Sequence, residues 1–308
     1  MSLAFLYAGQ GSQHPGMGAD LYEAYPAFKE ILDSAQVDFD LKTVSFTDPD
    51  GVLNQTEYTQ PCMVAFAAGM TAILAQLGIT PDYAAGLSLG EYSALQCAGV
   101  FTPAQAISLA AFRGKAMASA AAGMACGMTA VLGLDREKLQ QACDQAADAG
   151  VVEIANYNCP GQLVIGGQKE AVDKAAALAK ELGAKRCMPL KVSGPFHTSL
   201  LRPAGDSLRE KFREITFGTP RFPVLFNCLG REMGENDTIP ALLEKQVQSS
   251  VYMEDTIRRL EELGVDTIVE IGPGKALSGF VKKTAPSIKT YAVGICADID
   301  ALAAALKG

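Results

Sequence analysis

The pentapeptide Gly86-Leu87-Ser88-Leu89-Gly90 constrains what this chain can fold into more than any other stretch of it. Tyr83, Ala84 and Ala85 lead into it as a short extended segment, and Glu91 to Ala98 follows as a helix-forming run closed by Gly99. A G-x-S-x-G at a strand-to-helix junction holds its serine in a sharp turn, because the glycines two residues away let neighbouring backbone approach closely. The hydroxyl then stands at a helix N-terminus, where backbone N–H groups can bind the oxyanion of a tetrahedral intermediate. Ser88 is thus a candidate nucleophile, with the Leu89 N–H as the natural first oxyanion donor. An ordinary structural turn is the competing interpretation.

A serine nucleophile needs a base, and the chain has only two histidines, His14 and His197. Any histidine base is one of these. Eight cysteines are scattered singly, without the two-residue spacing of a zinc or redox pair, and most have apolar neighbours. No metal site is expected. With 308 residues, 49% hydrophobic and 19% charged, the chain can bury a large core as one domain with an insertion or as two. A net charge of -8 argues against non-specific binding to nucleic acid or an anionic membrane. No run approaches the roughly 18 apolar residues of a membrane span, and the N-terminus lacks a basic leader, so a cytoplasmic protein is expected.

In chain order, Leu3 to Ala8 is apolar enough for a buried first strand and enters the glycine-rich loop Gly9 to Gly18. That loop fails as a dinucleotide fingerprint because His14 occupies the third glycine position, and it fits a tight anion-facing turn or a plain connection equally well. A helix follows from Asp20 to Ala35, interrupted at Pro26, and Pro61 is expected to open a second one. Pro103 begins a helix to about Ala121 that carries Arg113 among apolar residues; spacing alone favours a guanidinium reaching solvent over a paired, buried one. From 123 to 192 the pattern becomes β-α-β-β-α-β, the order of a split ferredoxin-like unit inserted into a larger domain of residues 1–122 and 193–308. Beyond it, Phe222 to Leu229, Thr267 to Gly272 and Tyr291 to Gly294 read as strands. Alternating strands and helices imply an α/β fold with a mostly parallel sheet, and Gln10, Ser88 and Gly272 fall at the carboxyl ends of its strands, where active sites of such sheets lie.

Taken together, GQGSQ at 9–13, GLSLGEYSAL at 86–95, Arg113-Gly114, ANYNCPGQ at 155–162, GPFH at 194–197, Gln246 and EIGPGK at 270–275 resemble the malonyl-CoA:acyl carrier protein transacylases of fatty acid synthesis and the related acyltransferase domains of polyketide synthases. The resemblance spans nearly the whole chain. It implies an α/β-hydrolase-like large domain and a ferredoxin-like small one. It also implies that Ser88 attacks the thioester of malonyl-CoA, with His197 as base steadied by a carbonyl at Gln246, and that the backbone N–H groups of Gln10 and Leu89 form the oxyanion hole. Arg113 would clamp the malonyl carboxylate, reversing the solvated interpretation. Phe196 would favour malonyl over branched acyl groups, and Asn156 and Asn158 would line the donor's approach. The substrate is then a CoA thioester with no bound cofactor, and the acceptor is acyl carrier protein.

Carrier proteins of this kind are acidic, so docking needs local basic residues, for which Lys275, Lys282 and Lys283 are the candidates. His14 is a backup contributor. The chain departs from the family pattern at Leu87, Ser250 and Met253. A trans-acting polyketide acyltransferase, a Ser-His thioesterase or esterase, and a non-catalytic carrier-binding subunit are the rival functions.

Overall fold

The computed structural model describes residues 1–307. Its principal elements, in chain order, are β1 (Leu3–Tyr7), α1 (Thr56–Gln76), β2 (Tyr83–Gly86), α2 (Gly90–Cys97), α3 (Pro103–Ala121), β3 (Cys126–Leu132), α4 (Arg136–Ala146), β4 (Val152–Cys159), β5 (Gln162–Gln168), α5 (Lys169–Glu181), β6 (Arg186–Pro189), α6 (Arg202–Phe212), α7 (Ile239–Val247), β7 (Val251–Tyr252), β8 (Thr267–Ile271), α8 (Ala276–Thr284) and β9 (Lys289–Val293). They fall into two compact units: Met1–Lys115, Phe217–Phe226 and Arg258–Gly308 form the first, and Ala116–Thr216 with Asn227–Ile257 the second.

The first unit is built on a four-stranded sheet in the order β9-β8-β1-β2, parallel throughout. Every residue of LAFLY in β1 and TIVEI in β8 is buried, as expected of central parallel strands covered on both faces. The stretch expected as a strand from Phe222 to Leu229 contributes only a single parallel bridge, Val224 to Ala84, and a two-residue strand at Leu225–Phe226. Pro223, which has no N–H to give a ladder, limits pairing there. Pro26 does divide its helix: Tyr25 adopts an extended conformation between Ala19–Ala24 and Pro26–Asp33. Pro61, by contrast, lies inside α1, which begins five residues earlier at Thr56. The long buried run from Thr59 to Met70 holds that helix in place against the local cost of a proline.

Contrary to the reading from sequence, α1 is long and apolar enough to cross a membrane, with a mean hydropathy of 1.2. Most of that apolar surface, 78% of the window, is buried within the protein, as in the core helix of a globular fold.

The second unit holds a sheet in the order β6-β3-β5-β4-β7. The first four strands are antiparallel neighbours and β7 joins the edge of β4 in parallel. Leu139, Ala142, Cys143, Val172, Ala175 and Ala179 of α4 and α5 meet Val131, Ile154, Leu163 and Ile165 of the sheet in one buried cluster. This unit is wider than the segment 123–192. Residues beyond 192 belong to it because β7 pairs with β4 and because α6 packs on α7, with Arg209 bonded to Glu244 at 2.8 Å.

Candidate active site

In the first unit, β2 ends at Gly86 and α2 begins at Gly90, so the chain must reverse direction within three residues. Ser88 takes the strain, with φ of 53°, a left-handed conformation that costs a non-glycine residue about 1–2 kcal/mol. The turn is fixed by Leu87 N–H donating to Tyr7 O at 2.9 Å, Gly90 N–H to Leu87 O at 2.9 Å, and Glu91 N–H to Ser88 O at 3.1 Å. A Cβ on Gly86 would overlap the Gly90 backbone, and one on Gly90 would overlap the Tyr7 carbonyl. Close approach is therefore why both positions are glycine.

Arg113 is fully buried on α3, so the solvated alternative is wrong. Its Nη2 donates to Ser88 Oγ at 3.1 Å and its Nη1 to Gln60 Oε1 at 2.9 Å. Gly114 makes this reach possible, since a Cβ there would lie 2.8 Å from Thr56 O and 2.9 Å from Glu57 Cα; α3 comes this close to α1 only without a side chain. Burial pulls the guanidinium pKa down, while Tyr92 and Glu91 beside it push it back up. A guanidinium stays protonated under such shifts.

Gln10 follows β1, and its side chain donates to Thr56 Oγ1 at 3.2 Å, tying the loop to α1. Among the described residues, the backbone N–H groups of Gln10 and Leu89 find no protein acceptor. His14 is exposed, with Nδ1 3.0 Å from its neighbour Pro15 O. Lys275 caps α8, and Lys282 and Lys283 close its last turn, where cations suit the helix dipole; all three are exposed.

In the second unit, His197 is buried and also left-handed, at φ of 60°. Its Nδ1 lies 2.9 Å from the backbone oxygen of Gln246. A carbonyl only accepts, so Nδ1 carries the hydrogen and the neutral ring keeps its lone pair on Nε2, the arrangement a base requires. Gln246 sits in the last turn of α7, whose final carbonyls have no intrahelical N–H to meet, so one of them is available to the imidazole. The flanks are pinned as well. Thr198 Oγ1 donates to Pro195 O at 2.6 Å, and Ser199 gives its N–H and hydroxyl to the Glu153 carboxylate. Phe196 is buried beside it.

Asn156 and Asn158 alternate with Tyr157 on β4, which is irregular at Ile154/Asn156 and again at Tyr157/Cys159. Such bulges re-aim side chains. Asn158 is buried with its amide oxygen lacking a protein partner. At the departures from the family pattern, Ser250 Oγ donates to Ile154 O at 2.6 Å, anchoring β7 to β4, and Met253 is wholly buried at the start of its helix. Leu87 contributes backbone bonds alone to the elbow.

The structure thus brings together Ser88, Arg113 and the residues around them, and separately His197 with Gln246. Two residues around Arg113 escaped the sequence reading. Gln60 had no signal beyond preceding Pro61. Tyr92 had one, its place within the GLSLGEYSAL stretch that also carries Ser88.

The acyl transferase domain model matches residues 4–298. A curated malonyl CoA-acyl carrier protein transacylase of Bacillus subtilis is 42% identical over 294 residues, covering 94% of this chain and 93% of its own. The crystal structure of the malonyl CoA-acyl carrier protein transacylase from Clostridium perfringens superposes with a TM-score of 0.97 at 38% identity, covering 100% of this chain and 98% of that one. A malonyl-transacylase solved in complex with a type II polyketide acyl-carrier protein gives 0.95 at 37% identity, covering 99% and 100%. Over almost its entire length, the chain belongs to the acyl transferase family.

Proposed function

We propose that this protein transfers the malonyl group from malonyl-CoA to the phosphopantetheine thiol of acyl carrier protein, supplying extender units for fatty acid synthesis. The observation that carries the proposal is a fully buried guanidinium 3.1 Å from the nucleophile of a strained elbow. A general esterase has no use for that cation, whereas a donor ending in a carboxylate does.

In the first half-reaction Ser88 Oγ attacks the thioester carbon while His197 Nε2 takes the hydroxyl proton. The Gln10 and Leu89 N–H groups hold the oxyanion. As the intermediate collapses, CoA leaves with the proton from His197, and the malonyl group remains as an ester on Ser88. The second half-reaction runs in reverse with the carrier thiol as nucleophile. Arg113 pairs with the malonyl carboxylate throughout; Asn156 and Asn158 line the donor's approach, and Phe196 restricts branching at the acyl group. The chemistry needs a CoA thioester as substrate and no bound cofactor or metal.

The two units correspond in this proposal to a hydrolase-like catalytic domain and an inserted ferredoxin-like domain, the latter supported by its β6-β3-β5-β4 strand order. The absence of a disulfide among the described residues fits a reducing compartment, and we place the enzyme in the cytoplasm. Lys275, Lys282 and Lys283 serve carrier docking. Reversing the charge of Lys282 and Lys283 together should raise the Michaelis constant for carrier protein and spare that for malonyl-CoA; an equal effect on both excludes them from docking.

Intact-mass spectrometry tests the central step. Malonyl-CoA alone should leave one malonyl group on the protein, lost in the Ser88→Ala variant and discharged on adding holo carrier protein. Rapid hydrolysis without a thiol would instead identify a thioesterase.

A further inference from the structure

We propose that Tyr92 is a positioning residue that sets acyl specificity by holding the Arg113 guanidinium in register with Ser88. The proposal rests on Arg113 being the carboxylate clamp. The Arg113 Cζ lies over the Tyr92 ring, 5.5 Å from its centroid. Both side chains are fully buried. The ring is itself braced, stacking on Phe101 at 6.4 Å with planes 15° apart, and Phe101 packs edge-on against Phe217 at 5.3 Å. Tyr92 lies in the first turn of α2, which begins only two residues after Ser88, so whatever fixes the ring also constrains its distance to Ser88.

The physical reason for an aromatic ring at this place lies in the geometry of a guanidinium. Its donors all point outward in one plane, and a substrate carboxylate must meet an edge of that plane with two parallel N–H bonds. A π face attracts a cation without itself accepting a conventional N–H hydrogen bond. Gln60 fixes one edge from the side, through Nη1, with a neutral acceptor. Ring and amide together leave the guanidinium two constraints on its position while preserving its charge. Without the ring, the arginine keeps its length and charge but loses its angle.

The test uses full-length enzyme and compares Ser88 acylation by malonyl-CoA and acetyl-CoA. Tyr92→Leu should lower the malonyl-to-acetyl ratio of kcat/KM about tenfold, mainly through malonyl KM, with acetyl transfer nearly unchanged. Tyr92→Phe, which keeps the ring, should stay within about twofold of the parent ratio. In an Arg113→Ala background the Leu substitution should change the ratio no further, because the residue acts only through the cation. Tyr92→Phe bearing progressively more ring fluorines weakens the π face without opening a cavity and should lower the ratio stepwise, so the test survives if the Leu variant does not fold. Equal loss toward both donors, a parent-like ratio in the Leu and fluorinated variants, or additive losses with Arg113→Ala would each overturn the proposal. A parent-like ratio in Arg113→Ala alone would show that the clamp assignment itself had failed.

Discussion

The two sheets of this protein handle polar chemistry in opposite ways. In the first unit the central strands are buried along their whole length, so LAFLY and TIVEI have no face on which to carry a reactive group apart from Glu270. Even that carboxylate is turned to structural use, accepting from the N–H groups of Leu277 and Ser278 at the start of α8. The residues proposed to carry the chemistry accordingly lie at the carboxyl ends of the strands, Gln10 after β1 and Ser88 after β2. In the second unit β4 is buried intermittently and carries Asn156 and Asn158 within the strand itself. A sheet covered on both faces thus concentrates function in its loops, and that makes its turns intolerant. A strand buried only in part, as β4 is, can carry polar side chains along its length.

The contrast can be broken most severely at the elbow. Ser88→Ala should lower malonyl transfer by about 10³–10⁴-fold, read as loss of the acyl-enzyme in single-turnover kinetics. Parent-like turnover would remove the elbow from the chemistry altogether. Next in size is a matched pair of glycine substitutions. Gly90→Ala places a methyl against the Tyr7 carbonyl and should cost about 3 kcal/mol or more in denaturant unfolding. Gly127→Ala on β3 meets nothing nearer than Lys169 Cδ at 3.4 Å and should stay within about 1 kcal/mol of the parent. Equal losses at the two would erase the distinction between the sheets.

A smaller effect is expected at β4. Asn158→Ala should raise the malonyl-CoA Michaelis constant several-fold, by about 1 kcal/mol, with unfolding little changed. A purely structural asparagine would show the reverse. The smallest effect concerns the cores of both units. Burial pushes the thiols of Cys62 and Cys143 up to about 12, so at pH 8, well below that value, both should remain protonated and resist iodoacetamide until the protein is denatured. Peptide mapping after brief labelling measures this directly, and prompt alkylation of the folded protein would contradict it.

Much of the architecture was legible beforehand because it is written locally. The elbow, the helix from Pro103 to Ala121 and the alternation of strands and helices between 126 and 189 each follow from turn glycines, proline or periodicity within a short window. Pro61 misled because a local rule for starting helices yields to long-range burial along α1. Phe222 to Leu229 misled because apolar composition cannot say whether a neighbouring strand has a free edge to offer. The breadth of the second unit was hidden for the same reason: the β4–β7 pairing joins residues almost a hundred positions apart.

By itself the sequence determined where a strained turn must form, which side chains were available to act as nucleophile and base, and which family pattern they follow. Only the tertiary structure decided what Arg113 does. Spacing on α3 favoured a guanidinium reaching solvent, yet it is a buried donor to Ser88 because Gly114 lets α3 close on α1 and because Gln60 and Tyr92 wait there. Helical periodicity specifies a direction away from the helix axis, whereas burial depends on what another part of the chain brings to that side, and this is a property of packing that no local window contains.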